Sequence, residues 1–270
     1  MTAFVHHLSY DFRVGLRDKS QMLMNYLFPL IFFVMMGLLM TGINPTFKET
    51  LIPAMMVNAM MSSALLGMPN PIVSAREAGI YRSYRINGVP ALSIVAIPVI
   101  SIAQHMAVVY TIITFAGGAF FGATMPANTG GFILVALVST LAMAGIGMLI
   151  GVIAANTRAT VLLAQMFYLP SMMLGGMMFP ASLLSAPLYK VSLLLPASHV
   201  MNAFRGLAMG METTGDPYIS LAVLAASAVV SFGLAVSLFS WDSHNNDHSR
   251  KTFLAALAFI PYIAGLILLG

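Results

Sequence analysis

From residue 86 to residue 157 the chain carries no Asp, Glu, Lys or Arg. These 72 residues, between Arg85 and Arg158, are long enough for two membrane crossings, each needing ~20 residues. A charge at mid-bilayer costs at least ~2.5–3.5 kcal/mol on insertion scales. The gap therefore places the chain in lipid, and the rest of the composition agrees. The sequence is 59% hydrophobic and 7% charged, against ~25% charged in a soluble domain. The 270 residues hold six or seven spans with short loops and leave little room for a soluble domain. The formal net charge of +4 comes from basic residues in those short loops, where it signals topology and not nucleic-acid binding. With no cysteine, disulfides, thiolate metal sites and cysteine nucleophiles are excluded.

The expected fold is an all-α integral membrane protein. Phe4 to Lys19 reads as an amphipathic helix lying in the membrane interface, with Val5, Leu8, Phe12 and Leu16 on one face and Asp11, Arg13, Arg17 and Asp18 around the other. The first long apolar run starts only at Met22, so no cleavable signal peptide is expected. Six spans follow, over Met22–Thr41, Leu51–Val73, Ala91–Phe121, Gly130–Ala154, Thr160–Met178 and Tyr218–Ser240. Thr252–Gly270 is a seventh apolar stretch, either a further span or a tilted interfacial helix. The connection from Phe179 to Pro217 contains four prolines yet is rich in Leu, Met and Ala. Two short re-entrant or interfacial helices are expected there, broken near Leu195-Pro196. With the N-terminus in the cytoplasm, nine cations fall in cytoplasmic segments and three on the other side, which satisfies the positive-inside rule. The C-terminus is then outside.

None of the eight acids lies in a predicted span, and the chain has no G-x-x-x-x-G-K-[ST] phosphate loop, no H-E-x-x-H and no G-x-S-x-G. His244 and His248 are four apart in a polar segment that reads as a solvated linker. His105, next to Gln104, is the one titratable group well inside a span; it is either a proton relay or a neutral imidazole bonded to a neighbouring helix. Asn58, Gln104 and His105 are the polar residues nominated for a pathway. The 23 methionines suit either an adaptable ligand surface or simple apolar filling. Gly145-x-Gly147-x-x-x-Gly151 permits a close helix approach.

The strongest local signal is the basic loop from Ser74 to Pro90. Ile80, Tyr81 and Tyr84 would form an apolar edge on a short helix running from Arg76 to Arg85, with Arg82 and Arg85 beside it. Arg76-Glu77-x-Gly79 followed by Pro90 resembles the R-E-x-G…P segment of type-2 ATP-binding-cassette exporter permeases. Gly175-Gly176 through Phe179-Pro180, Pro187-Leu188, Leu195 to His199 and Arg205-Gly206 is similar to that family's segment between its fifth and sixth spans. The resemblance runs over residues 4 to 240. It implies a transmembrane domain over residues 1–240, with 241–270 adding a cytoplasmic linker and an extra helix. It further implies a permease that is itself no enzyme and carries no cofactor. ATP and Mg belong on a partner ATPase that docks on Arg76, Glu77, Gly79, Tyr81, Arg82, Tyr84 and Arg85. Two permeases would pair in the plasma membrane, with lipid around them, to export a drug, lipid or polysaccharide. A self-sufficient secondary transporter or channel is the competing reading, and a membrane-embedded enzyme a weaker third.

Overall fold

The computed structural model describes residues 2–178, 180–242 and 248–270. Among them every regular element is helical. The N-terminal helix α1 is Thr2–Arg17. Helices α2 (Lys19–Ile43), α3 (Leu51–Glu77), α5 (Ala91–Phe121), α6 (Thr129–Ile153) and α10 (Pro217–Leu238) are the five long and apolar enough to cross a membrane. The short α4 (Ile80–Ile86) joins α3 to α5. The stretch predicted as the fifth span folds as the 18-residue α7 (Thr157–Leu174), and the closing stretch contains the shorter apolar α11 (Phe253–Leu269). Between α7 and α10 lie α8 (Ala186–Ser192) and α9 (Pro196–Ala203), broken at the Leu195-Pro196 step as the sequence suggests. Proline at the first helical position loses no hydrogen bond, which is why the break falls there.

Helix α3 is the axis of the bundle. Every residue from Leu51 to Met61 is buried, and α2, α5, α6, α7 and α9 all pack on α3. The sequence explains this: Leu51 to Ala75 carries no charge, and Met55, Met56, Met60 and Met61 fill the gaps between its neighbours. These methionines are core packing, not an exposed adaptable surface. The glycine motif of α6 serves two partners. A Cβ on Gly145 would lie 3.3 Å from Ser231 Cβ of α10, whereas Gly147 and Gly151 face Ala64, Pro69 and Ile72 of α3.

Both α2 and α3 widen into a π-helical segment, at Leu23–Leu27 and Ser62–Gly67. The two segments meet through polar side chains. Ser63 Oγ donates to Asn25 Oδ1 at 2.6 Å, and Ser62 Oγ donates to the Met24 carbonyl at 3.2 Å. Such segments leave a backbone carbonyl free; the Ser62 hydroxyl answers that demand at Met24, while Ser63 bonds the Asn25 side chain.

Helix α1 packs on α5, but not by the face its periodicity predicts. Leu8 and Phe12 are half-buried, while Val5 and Leu16 are exposed. Asp11, placed by the sequence pattern on the polar side, lines a cavity instead, together with His7. The cause is His105 of α5. The Phe12 ring stacks on its imidazole, with centroids 4.3 Å apart and planes within 10°. The edge of that imidazole meets Gly15, where any side chain would collide with it. This contact rotates the helix away from its most apolar stripe.

Candidate functional site

The segment after α3 differs from the continuous Arg76–Arg85 helix that its sequence suggests. α3 runs on through Glu77, and Gly79 then breaks the path with a left-handed φ of 72°. Glycine takes this conformation without the steric cost that a Cβ would add. α4 begins at Ile80 and so leaves at a new angle. Glu77 is therefore the end of α3 and not the start of the short helix, and the helix dipole disfavours a carboxylate there.

Arg76 points inward and is only 2% exposed. Its guanidinium donates to the Gly151 carbonyl at 3.3 Å, to the Val152 carbonyl at 2.8 Å, and to the Ala154 carbonyl. These carbonyls end α6, where backbone acceptors have no partner of their own in the helix. A planar cation with five donors suits the task, and the negative end of the helix dipole adds to it. Arg76 thus bolts the end of α3 to the end of α6 across 75 residues of sequence.

Tyr81 is also inward, at 6% exposure, with its ring 5.2 Å from that of Phe239 at the end of α10. Burial raises its phenol well above the ordinary tyrosine range. Being buried, it is not an exposed anchor; the outward-facing residues of α4 are Ile80, Arg82, Ser83, Arg85 and Ile86. Tyr84 is half-buried, edge-on to His7 of α1 at 5.8 Å. The outward apolar residue that sequence reasoning missed is Ile86, 85% exposed. Its signal was available: a large aliphatic side chain next to Arg85 at the end of a short helix. Arg82 pairs with both carboxylate oxygens of Asp242 at 2.6 Å, tying α4 to the segment after α10. That pairing raises the Arg82 guanidinium further.

The three nominated pathway residues do not converge. Asn58 is buried and accepts from Tyr168 Oη of α7 at 2.9 Å. His105 is 1% exposed, and its Nδ1 shares a 2.7 Å hydrogen bond with Tyr26 Oη of α2. That bond ties α5 to α2. Gln104, its neighbour, is exposed on the outside of α5. Among the described residues no group of three or more His, Asp or Glu could hold a metal ion. The His244–His248 spacing and Phe179 of the glycine-proline segment involve positions outside the described residues.

Comparison with curated proteins and with solved structures gives no match. A protein family does match: the ABC-2 type transporter family covers residues 2–209, from α1 to beyond α9. That span includes the arginine bolt, α4, and the broken pair α8 and α9. The chain therefore belongs to the ABC-2 type transporter family, as a multi-pass membrane permease whose ATP hydrolysis lies in a partner subunit.

Proposed function

We propose that the chain is the permease half of an exporter. It moves an amphipathic or lipid-like molecule out across the plasma membrane of a bacterium or archaeon, driven by ATP and Mg held on the partner. α7 completes a six-span core, α8 and α9 dip into the membrane without crossing, and α11 adds a seventh span. α1 lies along the cytoplasmic interface. Two permeases assemble with two ATPase subunits.

The observation that carries this reading is the mechanical linkage of α4. Arg76 and the Tyr81–Phe239 contact tie its base to α3, α6 and α10, while Ile86 and Arg85 stand free of the bundle surface. A push on α4 is thereby delivered to three long helices at once. Ile86 fills the pocket of the ATPase, and Glu77, Arg82, Tyr84 and Arg85 surround it. Truncating an interface anchor costs at least ~2 kcal/mol, roughly thirtyfold in affinity. Ile86→Asp is expected to weaken co-purification of the ATPase by that factor or more, with thermal stability of the permease unchanged. Undiminished co-purification together with undiminished transport would sink the assignment.

Topology gives an independent check, because the native chain has no cysteine. Cysteine at Ser9, an exposed position on α1, is expected to resist an impermeant thiol reagent in intact cells. Cysteine at Gly270 is expected to react. Protection at both positions would mean that α11 does not cross.

A further inference from the structure

A cavity of about 210 Å³ lies between α1, α3, α4 and α5. Asp11 is the one Asp, Glu, Lys or Arg among the residues lining it. The aromatic rings of His7, Tyr81 and Tyr84 share the lining, and Ile72, Ile94 and Ile97 form apolar wall. Ser101, itself buried, lies beside the Asp11 carboxylate and favours its charged form. Among the described residues Asp11 has no salt bridge.

A carboxylate is costly to take out of water without a cationic partner. Here α1 turns one away from the solvent and into an aromatic cavity, although the sequence offers it a place on the polar face. Burial lifts the Asp11 carboxyl above its usual range; Ser101 and the attraction of His7 act against that lift but are smaller. An anion ringed by π faces is the recognition chemistry of an alkylammonium group.

We infer that this cavity binds an alkylammonium group, with Asp11 as counter-ion and Tyr84 and His7 as aromatic wall. The inference stands apart from the direction and nature of transport, because binding is measured on the isolated permease. The ammonium can come from a soluble amine or from the headgroup of an aminophospholipid.

The test uses the purified full chain in phosphatidylglycerol nanodiscs, titrated with benzyltrimethylammonium by calorimetry. Saturable one-site binding is expected. Asp11→Asn should weaken it at least ~10-fold, as loss of a desolvated counter-ion requires. Asp11→Glu should restore part of it. Tyr84→Leu should weaken it by about threefold, the scale of one cation–π contact; this variant keeps the proposal testable if Asp11→Asn does not fold. No saturable binding to the native chain, or equal binding to Asp11→Asn, overturns the site. Repeating the titration in nanodiscs containing phosphatidylethanolamine names the source. Weakened apparent binding there supports the site with the lipid headgroup as its occupant. Unchanged binding supports it with a soluble amine.

Discussion

Arg76→Ala is expected to destabilise the folded permease by ~3–5 kcal/mol, the cost of opening a buried charged network. Three carbonyls at the end of α6 depend on this one side chain. Hydrogen bonds to a charged donor contribute ~1.5–3 kcal/mol each, but three bonds to one guanidinium do not add independently. The end of α6 lies against α3, so water cannot replace the guanidinium without loosening that contact. Arg76→Lys is expected to recover part of the loss. A single ammonium retains the charge opposite the helix dipole but cannot span three acceptors. Thermal midpoints of the three proteins in detergent, read by loss of monodisperse material, should fall in the order Arg, Lys, Ala. Equal midpoints for Arg76 and Arg76→Ala would show that the bolt carries no load. A stable Arg76→Ala that binds the ATPase but no longer couples its hydrolysis to transport would keep the linkage and remove the stabilising role.

The arginine illustrates what the sequence alone could and could not reveal. Arg76 was conspicuous because charges are so rare between Lys48 and Arg158, and the natural reading was an exposed docking residue. Its inward turn depends on the open carbonyls of α6, which belong to a helix 75 residues away. No local pattern announces such a partner. The all-helical fold and the order of the five long apolar helices were legible because a run of uncharged residues has few other solutions in lipid. The helix pair α8 and α9 was legible for a related reason: prolines fix its ends, while its apolar composition rules out a solvated loop. Facing was the opaque property. In water the polar side of a helix names its outside, but in lipid both sides are apolar. α1 shows that even an interfacial helix can depart from its stripe, since a stacked ring and one glycine at His105 outweigh the exposure of Val5 and Leu16. Likewise Tyr81 and Tyr84, three apart, share a helix face by spacing, yet the break at Gly79 turns that face inward.

Where facing was legible, small residues carried it. Gly147→Ala is the second change expected to have a large effect. A Cβ at Gly147 would collide with the carbonyl oxygen of Ala64 and lie 2.8 Å from its carbonyl carbon. Both atoms are backbone, so no rotamer change relieves the clash. Ala64 sits inside the π-helical segment of α3, whose serines are already bonded to α2. A shift of α3 to admit the methyl group would therefore strain the α2 contact as well. Overpacking of this kind costs typically ~1–3 kcal/mol and occasionally more, and here the rigid neighbour favours the upper end. Helix propensity opposes it, because alanine in place of glycine gains ~1 kcal/mol within a helix. The steric term wins, because the atoms in the way are backbone. Gly233→Ala in α10 isolates the propensity term, since a Cβ there meets nothing within 4 Å. Thermal midpoints should thus move in opposite directions, down for Gly147→Ala and level or up for Gly233→Ala. Reverting the pressure tests the cause: Ser63→Gly frees the π segment from Asn25, so the double variant with Gly147→Ala should lose less than the sum of the two single losses. Full additivity would mean that α3 cannot yield at this point, and an unchanged midpoint for Gly147→Ala would refute the close packing of α3 on α6.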